Sequence, residues 1–481
     1  MNFDPGFTWI LGATLVAYVV GLYALAFRMR GRIQNSEDFI VAGRRLSFPL
    51  ATATLLGTWF GAGTILAAAD EVRREGLQSA ALEPFGAGFC LIVAALFFAR
   101  PLWEMKLLTV SDFFRQRFDK RAEVISAAVM VPSYFGWIAA QLVAFAGMLN
   151  LFFGLDMTAG ILLVAVVAVG YTLMGGMWSV TLTDAFQISL VLIGLAVLGW
   201  TTLVTLGDGS MLSGLARLWA DTPPEMREPI PTGSIQLLFE WLAIFAVGAL
   251  GNVPGQDLMQ RIFSARSART AVNACYAGGI LYIIFGLIPV TLGLAGRILA
   301  PDSLEQAILP ALAHSFLEPL PAVIFTVVLA SAVLSTIDSA ILSPASVLSQ
   351  NVLEYVNRGF FSPLTLTRIA VVIVTVASLG FAFAGESAYT LLEDAYELPL
   401  VGMFVPLAMG LYRKPDSPMP AIASMLVGLA LWLVHYFADW SYFFEPWTSD
   451  LPLKPPASLT MTAFSLLVYL VTELATKKRP T

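Results

Sequence analysis

Hydroxyl groups recur at helical spacing in one apolar segment of the chain: Ser331, Ser335, Ser339, Ser343 and Ser346, with Thr336, Asp338 and Ser349 among and after them. Residues three or four apart share a helix face, so the five serines form one polar stripe. A single hydroxyl on such a helix can simply bond back to the preceding turn, but a whole stripe needs a polar surface opposite it. Two other segments can offer that surface. Gly57-Thr58-Trp59-Phe60-Gly61-Ala62-Gly63-Thr64 places three glycines in seven residues, and Gly248-Ala249-Leu250-Gly251-Asn252-Val253-Pro254-Gly255-Gln256-Asp257 adds a proline, which has no N–H for a helix. Both are expected to unwind and expose carbonyl oxygens. Carbonyls and neutral hydroxyls suit a hard, singly charged cation such as sodium, and they avoid the desolvation cost of a second full charge.

Charges inside a bilayer are functional candidates by default. Asp338 sits within the serine-rich segment, Asp257 closes the Gly/Pro segment, and Glu83 and Asp184 each stand near the start of an apolar run. Asp184 has two readings, a charge beside the cation site or a helix N-cap at the membrane boundary. Glu83 has two as well, a solute contact or an exposed rim position. Cys90 and Cys275 lie in apolar runs, and His314 and His435 stand alone. Neither a disulfide framework nor a zinc constellation can be built from them. No nucleophile and base pair lies at a common depth, so an enzyme is not expected.

The elements that must carry these residues follow from composition. Of 481 residues, 58% are hydrophobic and only 12% charged, far from the balance of a soluble domain. The expected fold class is an all-α polytopic membrane protein of about 13 transmembrane helices, which at about 20 residues each use a little over half the chain. Apolar runs bounded by charged or Pro/Gly-rich turns place the spans near 8–27, 47–69, 80–99, 123–152, 157–175, 184–207, 234–257, 272–296, 319–348, 367–385, 396–412, 418–437 and 457–475. Counting Lys and Arg on alternate sides of these spans puts 21 of the 27 on one side, which predicts an N-terminus outside and a C-terminus in the cytoplasm. The first apolar run lacks a basic leader and a cleavage site, so it is read as a retained span. A net charge of −6 with no dense basic block argues against nucleic acid as a partner. The polar stretches at 208–233 and 438–456 are expected as external loops with at most a short surface helix. Nothing in the sequence calls for an obligate protein partner.

Several motifs in order resemble those of the sodium:solute symporters, a family with the leucine-transporter-type inverted-repeat fold. They are Asp38-Phe39-Ile40-Val41-Ala42-Gly43-Arg44, Leu108-Thr109-Val110-Ser111-Asp112-Phe113-Phe114, Tyr171-Thr172-Leu173-Met174-Gly175-Gly176-Met177-Trp178-Ser179-Val180 with Thr183-Asp184-Ala185-Phe186-Gln187, Gln260-Arg261, and Ser335-Thr336-Ile337-Asp338-Ser339. The resemblance runs from about residue 36 to 415 and implies a 5+5 repeat core. The expected organisation is 1–46 as a first helix and cytoplasmic loop, 47–208 as repeat 1 and 209–233 as an external loop. Repeat 2 is expected at 234–413, with two further helices and a short tail at 414–481. It also implies a sodium site made of the carbonyls of Gly57, Phe60 and Ala332 and the hydroxyls of Ser335 and Thr336. Asp184 is expected just outside that site, and Asp338, in the same span as the hydroxyls, is placed there too.

The nearest motifs are those of the high-affinity choline transporter branch, where aromatic faces hold a quaternary ammonium by cation–π attraction. Trp59 matches one cage tryptophan and Trp137 lies near another, while the position of the seventh-span cage tryptophan is Gly255 here. Thr64, where the sugar branch carries a long polar side chain, and Gln256 complete the expected solute-binding set with those three. The resemblance therefore implies a sodium-coupled symporter that imports a small ammonium solute, an amino acid or a choline-like compound, through the cell membrane. Two alternatives stay open: a solute sensor that kept the fold, and a symporter for a monocarboxylate, pantothenate or a sugar. Sensor relatives normally add a signalling domain after the last span, and here only Lys477 to Thr481 follow it.

Overall fold

The computed structural model describes residues 5–29, 31, 33–299, 308–317, 319–384 and 388–477. Both chain ends, Arg30, Arg32, Lys478 and Arg479 of the charge count, and the last residue of the expected tenth span fall outside them. Among the described residues every extended element is helical, and the two β-bridges are isolated. Ten helices are long and apolar enough to cross a membrane, or twelve if each of two bent pairs is one span.

In chain order these are α1 (Pro5–Met29), the bent pair α2 (Phe48–Trp59) and α3 (Gly63–Glu75), α4 (Leu77–Glu104), α5 (Lys120–Phe153) and α6 (Met157–Leu206). A second bent pair follows, α7 (Ile235–Gly251) and α8 (Gln256–Ser264), then α9 (Ala268–Leu299) and, too short to cross, α10 (Ile308–Phe316). The last five are α11 (Pro321–Val356), α12 (Pro363–Ala382), α13 (Thr390–Tyr412), α14 (Met419–Ala438) and α15 (Ala457–Thr476).

The 50 residues of α6 would extend about 75 Å at 1.5 Å per residue, more than twice the roughly 30 Å of a hydrocarbon core. The helix is interrupted at Gly176, whose φ of 52° and ψ of −161° only glycine adopts readily. A Cβ there would also fall 2.6 Å from the Phe39 ring. The first half matches the expected span 157–175, and the second begins after Gly176, several residues before the expected start at 184. Asp184 is consequently inside a helix and does not begin one, so the N-cap reading gives way; the cap of α6 is Asp156, which accepts from the Ala159 N–H at 3.2 Å.

Burial separates centre from rim. Of the most apolar window of α11, 89% is buried, against 17% for α1 and for α15. The serine-rich helix is thus the central one, packed against α5 and α6, while α2 packs against α6 and α9. The expected loop at 208–233 holds short helices at Met211–Asp221 and Pro224–Arg227. One element was not anticipated: α10, whose residues Ile308 to Ala313 are all buried. Its Pro310 and its short length hid it within a segment read as a loop.

Candidate functional site

The break between α2 and α3, a bend of 60°, faces α11. Phe60 leaves helical geometry at φ −78° and ψ 61°, and the Gly61 N–H turns back to the Trp59 carbonyl at 2.9 Å. Here the Ser335 hydroxyl oxygen lies 3.0 Å from the Gly57 carbonyl and 2.5 Å from Oδ1 of Asp184. A hydroxyl has one proton. When it goes to Asp184, the Ser335 lone pairs and the Gly57 carbonyl are left as two neighbouring acceptors. Thr336 Oγ1 lies 3.2 Å from the Ala332 carbonyl on the same stretch of α11, and Thr54 donates to Oδ2 of Asp184 at 2.6 Å.

The approach of the two helices depends on glycine. A Cβ on Gly57 would fall 2.8 Å from Asp184 Cβ, and one on Gly61 would fall 2.3 Å from Thr336 Oγ1. The structure therefore brings Gly57, Ser335, Thr336, Ala332 and Asp184 together, with Phe60 as the residue at which α2 ends. Neutral oxygens with one carboxylate behind them fit a monovalent cation. Asp338 is farther back: its Oδ1 accepts from Ser339 at 3.3 Å, and Ser339 in turn meets Thr58 and Arg261. The lower stripe, Ser343 and Ser346, bonds to Gln260 of α8.

A second, aromatic half adjoins the break. The Trp59 indole N–H donates to Oδ2 of Asp257 at 2.5 Å. Tyr134 donates to Oδ1 of the same carboxylate and accepts the Asp257 backbone N–H at 2.9 Å. Glu83 accepts from Tyr282 at 2.7 Å, Thr64 at 3.0 Å and Tyr396 at 3.2 Å. Tyr282 reaches the Trp59 carbonyl as well, at 3.0 Å. The Trp137 ring lies 5.6 Å from Tyr134 and 6.5 Å from Tyr396, centre to centre.

A cavity of about 10 Å³ remains among Tyr134, Trp137, Gly255, Asp257 and Tyr396, about enough for one water. A larger cavity of about 170 Å³, lined almost entirely by apolar surface, lies between α5, α13 and α14; Ser133 and Ala395 line both. Parting α13 from α5 would join them.

Of the residues expected to touch solute, Trp59, Trp137, Gly255 and Thr64 fall in this region. Gln256 does not face it: its Oε1 accepts from the Val110 N–H at 2.7 Å and its Nε2 donates to the Leu108 carbonyl at 3.2 Å, tying α8 to the short helix Val110–Arg117. Glu83 is no rim residue, since only 2% of it is exposed. Asp257 and Glu83, both visible in the sequence as charges within spans, are the site residues that the motif comparison left out. Tyr134 and Tyr282, single tyrosines in apolar runs, and Tyr396, among the acidic residues Glu393, Asp394 and Glu397, carried no signal.

A family model described as the sodium:solute symporter family matches residues 39–428. The human high affinity choline transporter 1 is 26% identical over 445 residues, covering 87% of this chain and 74% of that protein. The human sodium-coupled monocarboxylate transporter 1 is 24% identical over 451 residues, covering 87% and 70%. Among solved structures, a substrate-bound, outward-open Na+-coupled sialic acid symporter superposes with a TM-score of 0.77 at 17% identity over 99% of this chain and 98% of that one. The nucleobase-cation-symport-1 family transporter Mhp1 in a closed conformation gives 0.62 at 15% identity over 91% and 93%. These likenesses show a shared fold.

Proposed function

The chain belongs to the sodium:solute symporter family, and from that premise we propose that it is a sodium-coupled symporter importing a small ammonium-bearing solute by alternating access. The observation that carries this is the Ser335 hydroxyl placed between the Gly57 carbonyl and Asp184. Sodium held by Gly57, Phe60, Ala332, Ser335 and Thr336 would clasp the break in α2–α3 to α11. Asp184, behind the hydroxyl, accepts its hydrogen bond and adds a negative field. The clasp fixes Trp59, whose side chain forms part of the aromatic region, so ion and solute occupancy are coupled through one short stretch of backbone. Movement of the two broken pairs against α5 and α11 then exposes the site to one side or the other.

In this proposal the chain crosses the plasma membrane thirteen times, α6 counting as two spans and each bent pair as one, with the N-terminus outside and the C-terminus in the cytoplasm. Residues 47–208 and 234–413 are the two repeats, each opening on a broken helix pair. The relatives' names cover choline and monocarboxylates; the buried carboxylates Glu83 and Asp257 favour the cationic end of that range.

The test is uptake by the purified chain in liposomes. Solutes are first ranked by the thermal stability they confer in sodium and in potassium. A sodium gradient should then drive accumulation of the best solute above equilibrium. Sodium-dependent binding without any uptake would instead favour a sensor.

A further inference from the structure

Glu83 and Asp257 are each only 2% exposed, and among the described residues neither is in an ion pair. Arg261, one turn beyond Asp257, directs its guanidinium to Ser339, the Gln260 side chain and the Asp257 backbone carbonyl. The carboxylates are met by neutral donors instead: Trp59 and Tyr134 on Asp257, and Tyr282, Thr64 and Tyr396 on Glu83. An ionised carboxylate offers about four acceptor positions, so both keep capacity. A buried carboxylate with no cation beside it is costly, and a positively charged ligand offsets that cost.

The aromatic walls alone would serve a quaternary ammonium, which is drawn to a carboxylate by charge but has no N–H to donate to it. Two features go beyond that need. Gly255 leaves Asp257 open: a Cβ at this position would fall 2.8 Å from Asp257 Oδ1, so any larger side chain would crowd the oxygen that lines the cavity. Among the described residues, Asp394 of α13 is also the one acidic residue in the lining of the neighbouring cavity. An acidic residue there favours a cation over a carboxylate.

We infer that the solute is a cation that carries N–H donors and no carboxylate, a primary ammonium or guanidinium compound, bonded to Asp257 and Glu83 while Trp59 and Trp137 cover its apolar part. That narrows the proposal above and presupposes its solute site.

The test is equilibrium binding to the full chain in lipid nanodiscs, in sodium and in potassium, using solutes that differ only at nitrogen or by a carboxylate. The probes are ethanolamine against choline, 1,4-diaminobutane against its hexamethyl derivative, agmatine, and glycine. At least one N–H cation should bind about tenfold or more tightly than its methylated partner and than glycine. Asp257→Asn and Glu83→Gln should each erase most of that preference, and Asp257→Glu should restore part of it. Each variant is accepted as folded only if it remains monodisperse and is still stabilised by sodium. Equal or tighter binding of the methylated or zwitterionic member overturns the inference, as does absence of binding by every N–H cation. Sodium-dependent binding of choline or glycine at least as tight as that of every N–H cation would do so while leaving the symporter proposal intact. An N–H preference that is identical in sodium and potassium would keep the inference and remove the coupling.

Discussion

The Trp59 indole N–H lies 2.5 Å from Oδ2 of Asp257, joining the last turn of α2 to the first turn of α8. Each of these residues borders a helix break, so the two broken pairs are linked by a charge-assisted hydrogen bond inside the protein. The bond satisfies an indole N–H that would be unsatisfied in the middle of a bilayer. It also fixes the plane of the ring, held nearly perpendicular to Tyr282 at 85° with centres 6.2 Å apart. A shift of α8 must therefore move the Trp59 ring or break this contact.

Replacing Trp59 tests the ring and the N–H separately. Leucine removes both, and loss of a desolvated cation–π contact of about 2 kcal/mol predicts roughly thirtyfold weaker binding of a cationic solute. Phenylalanine restores a ring face but leaves Oδ2 of Asp257 without its indole donor, so its affinity should fall between leucine and tryptophan. Binding of a labelled solute in saturating sodium decides this; wild-type affinity in Trp59→Leu would remove the residue from the pocket.

The sodium clasp makes a different demand. Ser335→Ala removes an oxygen and also the donor to Asp184, whereas Thr336→Ala removes an oxygen and a methyl but no contact with Asp184. Both should raise the sodium concentration for half-maximal uptake by about tenfold or more, Ser335→Ala the more strongly. Asp184→Asn should act in the same direction, through loss of its field, with little change in yield. A sodium requirement unchanged in all three would place the ion elsewhere.

Close approach can be probed by adding one carbon. Gly61→Ala sets a methyl 2.3 Å from Thr336 Oγ1 and 2.9 Å from Gln141 Oε1, and Gly57→Ala sets one 3.2 Å from the Asp184 backbone. Backbone cannot rotate away, so Gly57→Ala should spread α2 from α6 and abolish sodium-induced stabilisation. Gly147→Ala on α5, where nothing lies within 4 Å, is the control and should titrate like the parent chain. Cysteine at Gly57 is unsuitable as an accessibility probe for the same steric reason.

The sequence spoke most clearly where chemistry and backbone coincide. Clustered glycines, and glycines with a proline, weaken a helix whatever it packs against, so both breaks, at Gly57–Gly63 and Gly248–Gly255, were legible, as was the hydroxyl stripe opposite one of them. Side chains whose direction depends on tertiary geometry were not. Glu83 sits at an extended position, φ −131° and ψ 125°, after a tight turn at Leu77–Ala81. Helical phase from α4 therefore says nothing about where it points. Gln256 stands beside Gly255 in the chain, but a bend of 40° between α7 and α8 turns it toward Leu108 and Val110. Tyr282 and Tyr396 become legible only once Glu83 is known to be buried between them.

Gln141 gives the last test, because nothing in its sequence context suggests a role. It lies on α5, fully buried, and its Oε1 accepts the Ala62 N–H at 2.9 Å. The first N–H groups of a helix have no partner within it, so Gln141 caps the start of α3 from a different helix and holds the break open at Gly61. Gln141→Met keeps length and bulk but removes the acceptor. Leaving that N–H unsatisfied in the interior costs about 1–3 kcal/mol, which the chain can avoid by rewinding the break and closing the carbonyls to sodium. The expected result is a sodium requirement raised by about five- to a hundredfold, while a variant with the acceptor restored, Gln141→Glu, should keep the break and titrate near or below the parent concentration. The measurement is sodium-dependent thermal stability of the purified chain, which needs no solute. If Gln141→Met titrates with sodium as the parent does, the capping contact does not govern the ion site, and the geometry at Gly61 must be set by Thr336 and α11 alone.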